Sequence, residues 1–103
     1  MSRLRDDLGL WLGSLGFEPE VRFRGRSGKR RFRFDWAKAG EMLAVEYDGM
    51  GVGHQSISGT WADAEKGNEA VLCGWRIIRC NAKTTREGGC HEMIEAALRG
   101  GDG

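Results

Sequence analysis

The stretch Phe32-Arg-Phe-Asp-Trp-Ala-Lys-Ala-Gly-Glu-Met-Leu-Ala-Val-Glu-Tyr-Asp-Gly49 decides how the rest of the chain is read. Apolar residues alternate or run continuously on both sides of a Gly-containing break at Lys38 to Glu41, which predicts two short strands joined by a turn. Successive side chains of a strand point to opposite faces. Phe32, Phe34 and Trp36 are therefore expected on one face, and Arg31, Arg33 and Asp35 on the other. On the second strand Glu46 and Asp48 fall together, opposite Leu43, Val45 and Tyr47. Antiparallel pairing then sets Asp35 across from Glu46 and Asp48.

Three carboxylates gathered in this way do not stabilise a fold, because two like charges ~5 Å apart repel by roughly 3 kcal/mol at an effective dielectric of ~20. The cluster is tolerable if one carboxyl stays protonated, if Arg or Lys sits between the acids, or if a divalent cation binds. One or two carboxylates, with the remaining positions left to water and phosphate, suit Mg²⁺. The plain alternative is that the acids fall at strand ends and face water, and Asp48-Gly49 is itself a turn signal.

A chain of 103 residues, 40% of them apolar, is read as one globular domain over 1–99 with a Gly-rich tail at 100–103 that is expected to be disordered. No apolar run approaches the ~20 residues of a membrane span, and no signal peptide precedes the first helix, which argues against a membrane partner. Cys73, Cys80 and Cys90 are odd in number and lack zinc-type spacing, so reduced thiols in a cytoplasmic setting are expected. Net charge is only +1. Its distribution says more: Arg22, Arg24, Arg26, Lys29, Arg30, Arg31 and Arg33 are crowded together. Such a run is ordinarily a solvated face, and it is also what a phosphate backbone requires. Arg22 and Arg24 alternate with Val21 and Phe23, which puts their guanidinium groups on one face, in line with Arg31 and Arg33, as a candidate groove wall.

The remaining elements follow in order. Leu4, Leu8, Trp11, Leu12 and Leu15 recur at helical spacing and predict a helix from Ser2 to Leu15, in which Gly9 and Gly13 imply close packing or local weakness. Glu18 to Arg24 reads as a strand. Met50 to Gly59 reads as a loop carrying His54, which is either solvated or, beside a carboxylate cluster, a proton-transfer or phosphate-contacting group. Thr60 is expected to cap a helix from Trp61 to Cys73 whose core stripe is Trp61, Ala64, Val71 and Leu72, with Lys66 turned away from it. A strand from Trp75 to Cys80 and a helix opening at Thr84 or Thr85 complete the chain. The order helix, three strands, helix, strand, helix (αβββαβα) predicts an α/β fold, a small mixed sheet flanked by helices.

Arg31-Phe-Arg-Phe-Asp-Trp-Ala37, Leu43-Ala-Val-Glu-Tyr-Asp-Gly49, Gly53-His54, Asp63-Ala-Glu-Lys-Gly-Asn-Glu-Ala70 and Gly74-Trp-Arg-Ile-Ile-Arg79, taken in that order, resemble the PD-(D/E)XK nuclease superfamily, and within it small phage and prophage endonuclease-like proteins. The resemblance implies a restriction-endonuclease-like core and hydrolysis of DNA phosphodiesters with Mg²⁺ or Mn²⁺. It implies Asp35 and Glu46 as metal-binding carboxylates and the carbonyl of Tyr47 as a further ligand. The lysine that usually follows the glutamate by two residues is replaced by Asp48. Lys66 on the next helix, as in members that supply the lysine from there, or a second ion held by Asp48, would fill that role. Lys66 or His54 would orient the attacking water or stabilise developing charge, and Arg22, Arg24, Lys29, Arg30, Arg31 and Arg33 would track phosphates. The missing lysine also motivates a different reading, a catalytically inactive DNA-binding module that keeps the fold. A homodimer is compatible with so small a nuclease.

Overall fold

A computed structural model of the chain describes residues 3–28, 30–48 and 57–100, and of residues 57–63 it gives the helical backbone alone. In chain order the elements are α1 (Arg3–Ser14), β1 (Glu18–Pro19), β2 (Arg22–Arg24), β3 (Arg31–Arg33), β4 (Trp36–Lys38), a 3-10 turn (Ala39–Glu41), β5 (Leu43–Asp48), α2 (Ile57–Leu72), β6 (Arg76–Asn81), α3 (Ala82–Arg86) and α4 (Gly89–Gly100). The main sheet has the order β1-β4-β5-β6 and is mixed: β1 and β4, and β4 and β5, are antiparallel, while β5 and β6 run parallel across the α2 crossover. A parallel pair needs such a crossover, and α2 supplies it.

The first two strands of the expected order are each divided in two. β1 pairs with β4 and β2 with β3 in one continuous register, Pro19 opposite Trp36 and Arg22 opposite Arg33. Between them the ladder is irregular: the Glu20 amide donates to the Asp35 carbonyl and the Phe34 amide to the Val21 carbonyl, both at 2.8 Å, and Glu20 takes a left-handed φ of 54°. The hairpin therefore bends at Asp35, and the β2–β3 end leaves the main sheet as a two-stranded ribbon.

The bend changes which way the side chains point. Trp36 joins Leu43, Val45 and Cys80 against Leu8 and Leu12 of α1 and Ile94 of α4, whereas Phe34 joins Phe23, Ala37, Ala44 and Ala70 on the α2 side. Phe34 and Trp36 thus lie on opposite faces, contrary to the period-2 expectation that they share one. The reason is local: Asp35 interrupts the strand, and strict alternation holds only within an uninterrupted strand. Gly9 permits the close seating of α1, since a Cβ there would stand 3.1 Å from the Trp36 ring, whereas Gly13 faces no such neighbour.

Two helices depart from expectation. α2 begins at Ile57, so position 60 lies within the helix and not at its N-terminal boundary. Its outward residues include Val71 and Leu72, 63% and 59% exposed, while Ala70 is fully buried. The expected stripe is thus inverted. The sheet face beneath α2 is lined by Ala37, Ala44 and large aromatics, and it takes the small Ala70 and the Lys66 side of the helix. The last helix is divided into α3 and α4. Asn81, not Thr84 or Thr85, caps α3: its side chain accepts from the Thr84 amide at 2.8 Å and the Thr84 hydroxyl accepts from the Asn81 amide at 3.0 Å, a reciprocal capping box. Gly100 closes α4 and does not belong to a tail; residues 101–103 lie outside the described residues.

Cys80 and Cys90 are joined in a disulfide with their Cα atoms 5.7 Å apart, and Cys73 is free. This corrects the expectation of three reduced thiols. The short α3 turn folds the start of α4 back onto the end of β6, which brings together two cysteines whose spacing alone does not announce a bridge. Among the described residues no helix is long and apolar enough to cross a membrane.

Candidate functional site

β4 and β5 stay paired as far as Trp36 and Val45. One residue further on, the hairpin bends away and a fork opens in which side chains replace the ladder. In a regular antiparallel pair the Asp35 amide would return the hydrogen bond of Glu20. Instead it donates to Glu46 Oε2 at 3.0 Å. In the same fork the Tyr47 amide donates to Asp35 Oδ2 at 2.9 Å. The N–H and C=O of one strand residue point to the same edge, so the Tyr47 carbonyl faces this side as well. Asp35, Glu46 and the Tyr47 backbone are therefore gathered at one point.

The aromatic residues on either side of Asp35 each carry a cation to the fork. On the α2 face Lys66 lies 5.6 Å from the Phe34 ring centroid and pairs with Glu46 Oε1; both side chains are largely shielded, 18% and 12% exposed. On the α1 face the Arg5 guanidinium lies 4.8 Å from the Trp36 ring centroid and approaches Asp35 Oδ1 at 3.6 Å. Each carboxylate thus has one oxygen fixed by a backbone amide and the other turned to a cation. The charge problem posed by adjacent acids is met by Lys and Arg, at interaction strengths of the same order as the repulsion, a few kcal/mol at such separations.

Lys66 reaches this site although its helical position had placed it away from the expected stripe, because the stripe itself was inverted. Asp48 stands at the exposed end of β5, in register with Asn81 of β6. Among the described residues no group of three or more His, Cys, Asp or Glu side chains is arranged to share a metal ion, so Asp48 does not complete a cluster with Asp35 and Glu46. His54 and Lys29 lie outside the described residues. Arg5 was not singled out from sequence. The signal that could have found it is Gly9 one helical turn further on, the residue that lets α1 approach Trp36.

The basic run separates into two groups. At the tip of the ribbon, Arg26 binds Glu69 at 3.1 Å through its guanidinium and at 2.9 Å through its amide, and Arg30 pairs with Glu65 while stacking on Phe32. These contacts clamp the ribbon to α2. The Arg26 side chain and amide together hold the Glu69 carboxyl below its ordinary pKa of 4.5, and Glu69 raises that of Arg26. Along the strands, Arg33 meets Glu20 at 3.0 Å, whereas Arg22, Arg24 and Arg31 form no ion pair with any described residue.

The fork offers hard oxygen donors of the kind a divalent cation takes, in the Asp35 and Glu46 carboxylates and the Tyr47 carbonyl, and the amide bonds fix one oxygen of each carboxylate. In this structure Asp35 Oδ1 turns to Arg5 on the α1 face and Glu46 Oε1 to Lys66 on the α2 face, so an ion shared by both acids would draw each away from its cation. No family model, curated protein or solved structure matches the chain.

Proposed function

We propose that the protein is a divalent-metal-dependent endonuclease that hydrolyses DNA phosphodiester bonds, built on a restriction-endonuclease-like core of the PD-(D/E)XK kind. The observation that carries this reading is the fork itself, where of the two carboxylates that the sequence resemblance selects Glu46 is held by the Asp35 amide and Asp35 by the Tyr47 amide. Asp35, Glu46 and the Tyr47 carbonyl would hold Mg²⁺ or Mn²⁺. Bound there, the ion would polarise a phosphoryl oxygen and lower the pKa of an attacking water.

The chain's own groups have separable tasks. The backbone amides of Asp35 and Tyr47 fix the carboxylates before any ligand arrives, so little reorganisation is left for the binding step. Lys66, which pairs with Glu46 here, would stabilise negative charge developing on the phosphoryl group, the task of the lysine that Asp48 displaces. Arg5 steadies Asp35 from the other face. Arg22, Arg24 and Arg31 supply affinity for the phosphate backbone, which falls with added salt.

A second reading, a DNA-binding module without catalysis, is favoured by the same ion pairs, since Lys66 and Arg5 already balance the charge of the fork without a metal. The two readings separate in one experiment. Incubating duplex, single-stranded and branched DNA with Mg²⁺ or Mn²⁺ should give product with the wild-type chain and none with Asp35→Asn. Equal product from both excludes the assignment, and DNA binding with no metal-dependent product from either establishes the inactive module.

A further inference from the structure

We infer that the outward face of the β2–β3 ribbon is a phosphate track leading to Asp35, which holds the two phosphates next to the one at the fork on a single flank of a DNA strand. The inference takes from the proposed function only that a phosphate sits at Asp35. It begins from an arrangement that folding does not explain. Arg22 stands directly opposite Arg33, and Arg24 opposite Arg31, so four guanidinium groups form two like-charge rungs on one face. Like charges directly opposite in an antiparallel pair are destabilising. The ribbon does not need them for its core, which Phe23 and Phe32 make on the other face.

Three of these four arginines have no ion-pair partner among the described residues, and the fourth, Arg33, keeps a side chain that is 54% exposed beside Glu20. Arg22, Arg31 and Arg33 line a shallow concavity of about 270 Å³. An anion in it relieves the repulsion of the Arg22–Arg33 rung, and guanidinium matches the bidentate geometry of phosphate.

Spacing points to a repeating anion. The rungs are two residues apart, and Arg33 is two residues before Asp35. At ~3.3 Å per residue the step between the rungs along β3 is about 7 Å, comparable with the step between successive phosphates of one strand, and across the bend the two residues from Arg33 to Asp35 span at most about that. A phosphate at the fork therefore places its first neighbour at Arg22 and Arg33 and its second at Arg24 and Arg31. The tip clamp keeps this alignment: Arg26 and Arg30 bind Glu69 and Glu65 of α2, the helix that also supplies Lys66.

The test needs neither a divalent ion nor turnover. In a Cys73→Ser/Asp35→Cys chain, a DNA duplex bearing a thiol-reactive group on one internal phosphate fixes the register by cross-linking. Uncharged methylphosphonates are then placed one or two positions to either side. The track predicts a several-fold loss of cross-linking on one side only, and no effect of the second-position substitution once Arg24→Gln/Arg31→Gln is added. In the otherwise native chain, with no added metal, Arg24→Gln/Arg31→Gln should lower the slope of log affinity against log salt by about one, for the one phosphate that rung holds, whereas Arg99→Gln on α4 should leave it unchanged. Equal losses on both sides, no loss on either, or an unchanged salt slope overturns the track. One-sided losses here, together with no product from the wild-type chain in Mg²⁺ or Mn²⁺, would support the track and remove the nuclease reading.

Discussion

Lys66 of α2 and Glu46 of β5 form an ion pair in which neither side chain is more than 18% exposed. Removing one partner of a shielded pair leaves an uncompensated charge, at a cost of about 3–5 kcal/mol for fully buried examples and less where, as here, some exposure remains. Lys66→Met is therefore expected to lower stability in denaturant titrations by about 2–3 kcal/mol without metal. Mn²⁺ should stabilise this variant more than the wild type, because the metal no longer competes with the lysine for Glu46.

The seating of α1 against Trp36 sets where Arg5 meets Asp35. A Cβ at Gly9 would already crowd the indole at 3.1 Å, so Gly9→Leu must push the helix outward. Overpacking of this kind costs about 1–3 kcal/mol, and thermal unfolding should show it. Gly13→Ala, with no atom within 4 Å of the added Cβ, should instead be neutral or mildly stabilising.

The clamp between Arg26 and Glu69 gives the ribbon tip a pH dependence. Glu69 has its folded pKa depressed below 4.5, chiefly by the Arg26 side chain, so its contribution is complete above that value and is lost as pH falls through the lower folded one. The Arg26 amide resonance, whose N–H donates to Glu69, should shift in that acidic window. Glu69→Gln should abolish the shift.

Cys80 and Cys90 close a short loop, ten residues apart in sequence. Loop-closure entropy for that length is worth about 2–3 kcal/mol. Reduction of the wild type should lower the denaturation midpoint accordingly, and Cys90→Ser should reproduce the lowered value and remove the response to reductant.

The hairpin, the α2 crossover and the pairing of Asp35 with Glu46 were legible in sequence because apolar alternation and Gly-bearing turns mark them directly. The bend at Asp35 was not. It arises when a carboxylate of a neighbouring strand captures a backbone amide, a tertiary event without local signature, and it separates Phe34 from Trp36. The orientation of α2 was misread for a related reason. Val71 and Leu72 are more apolar than Ala70, yet a sheet face already filled with Phe23, Phe34 and Trp75 leaves room only for the smaller side chain. Lys66 followed that error, and Arg5 was hidden because only the close approach at Gly9 reveals it.

The most direct measurement is a calorimetric titration of Mn²⁺ into the wild-type chain, Asp35→Asn and Glu46→Gln. Outer partners of metal ligands alone are worth about 10–100-fold in affinity, so losing a ligand should weaken binding at least about tenfold. The account predicts one saturable site in the wild type and that loss in both variants. Equal Mn²⁺ affinity in all three chains would contradict it.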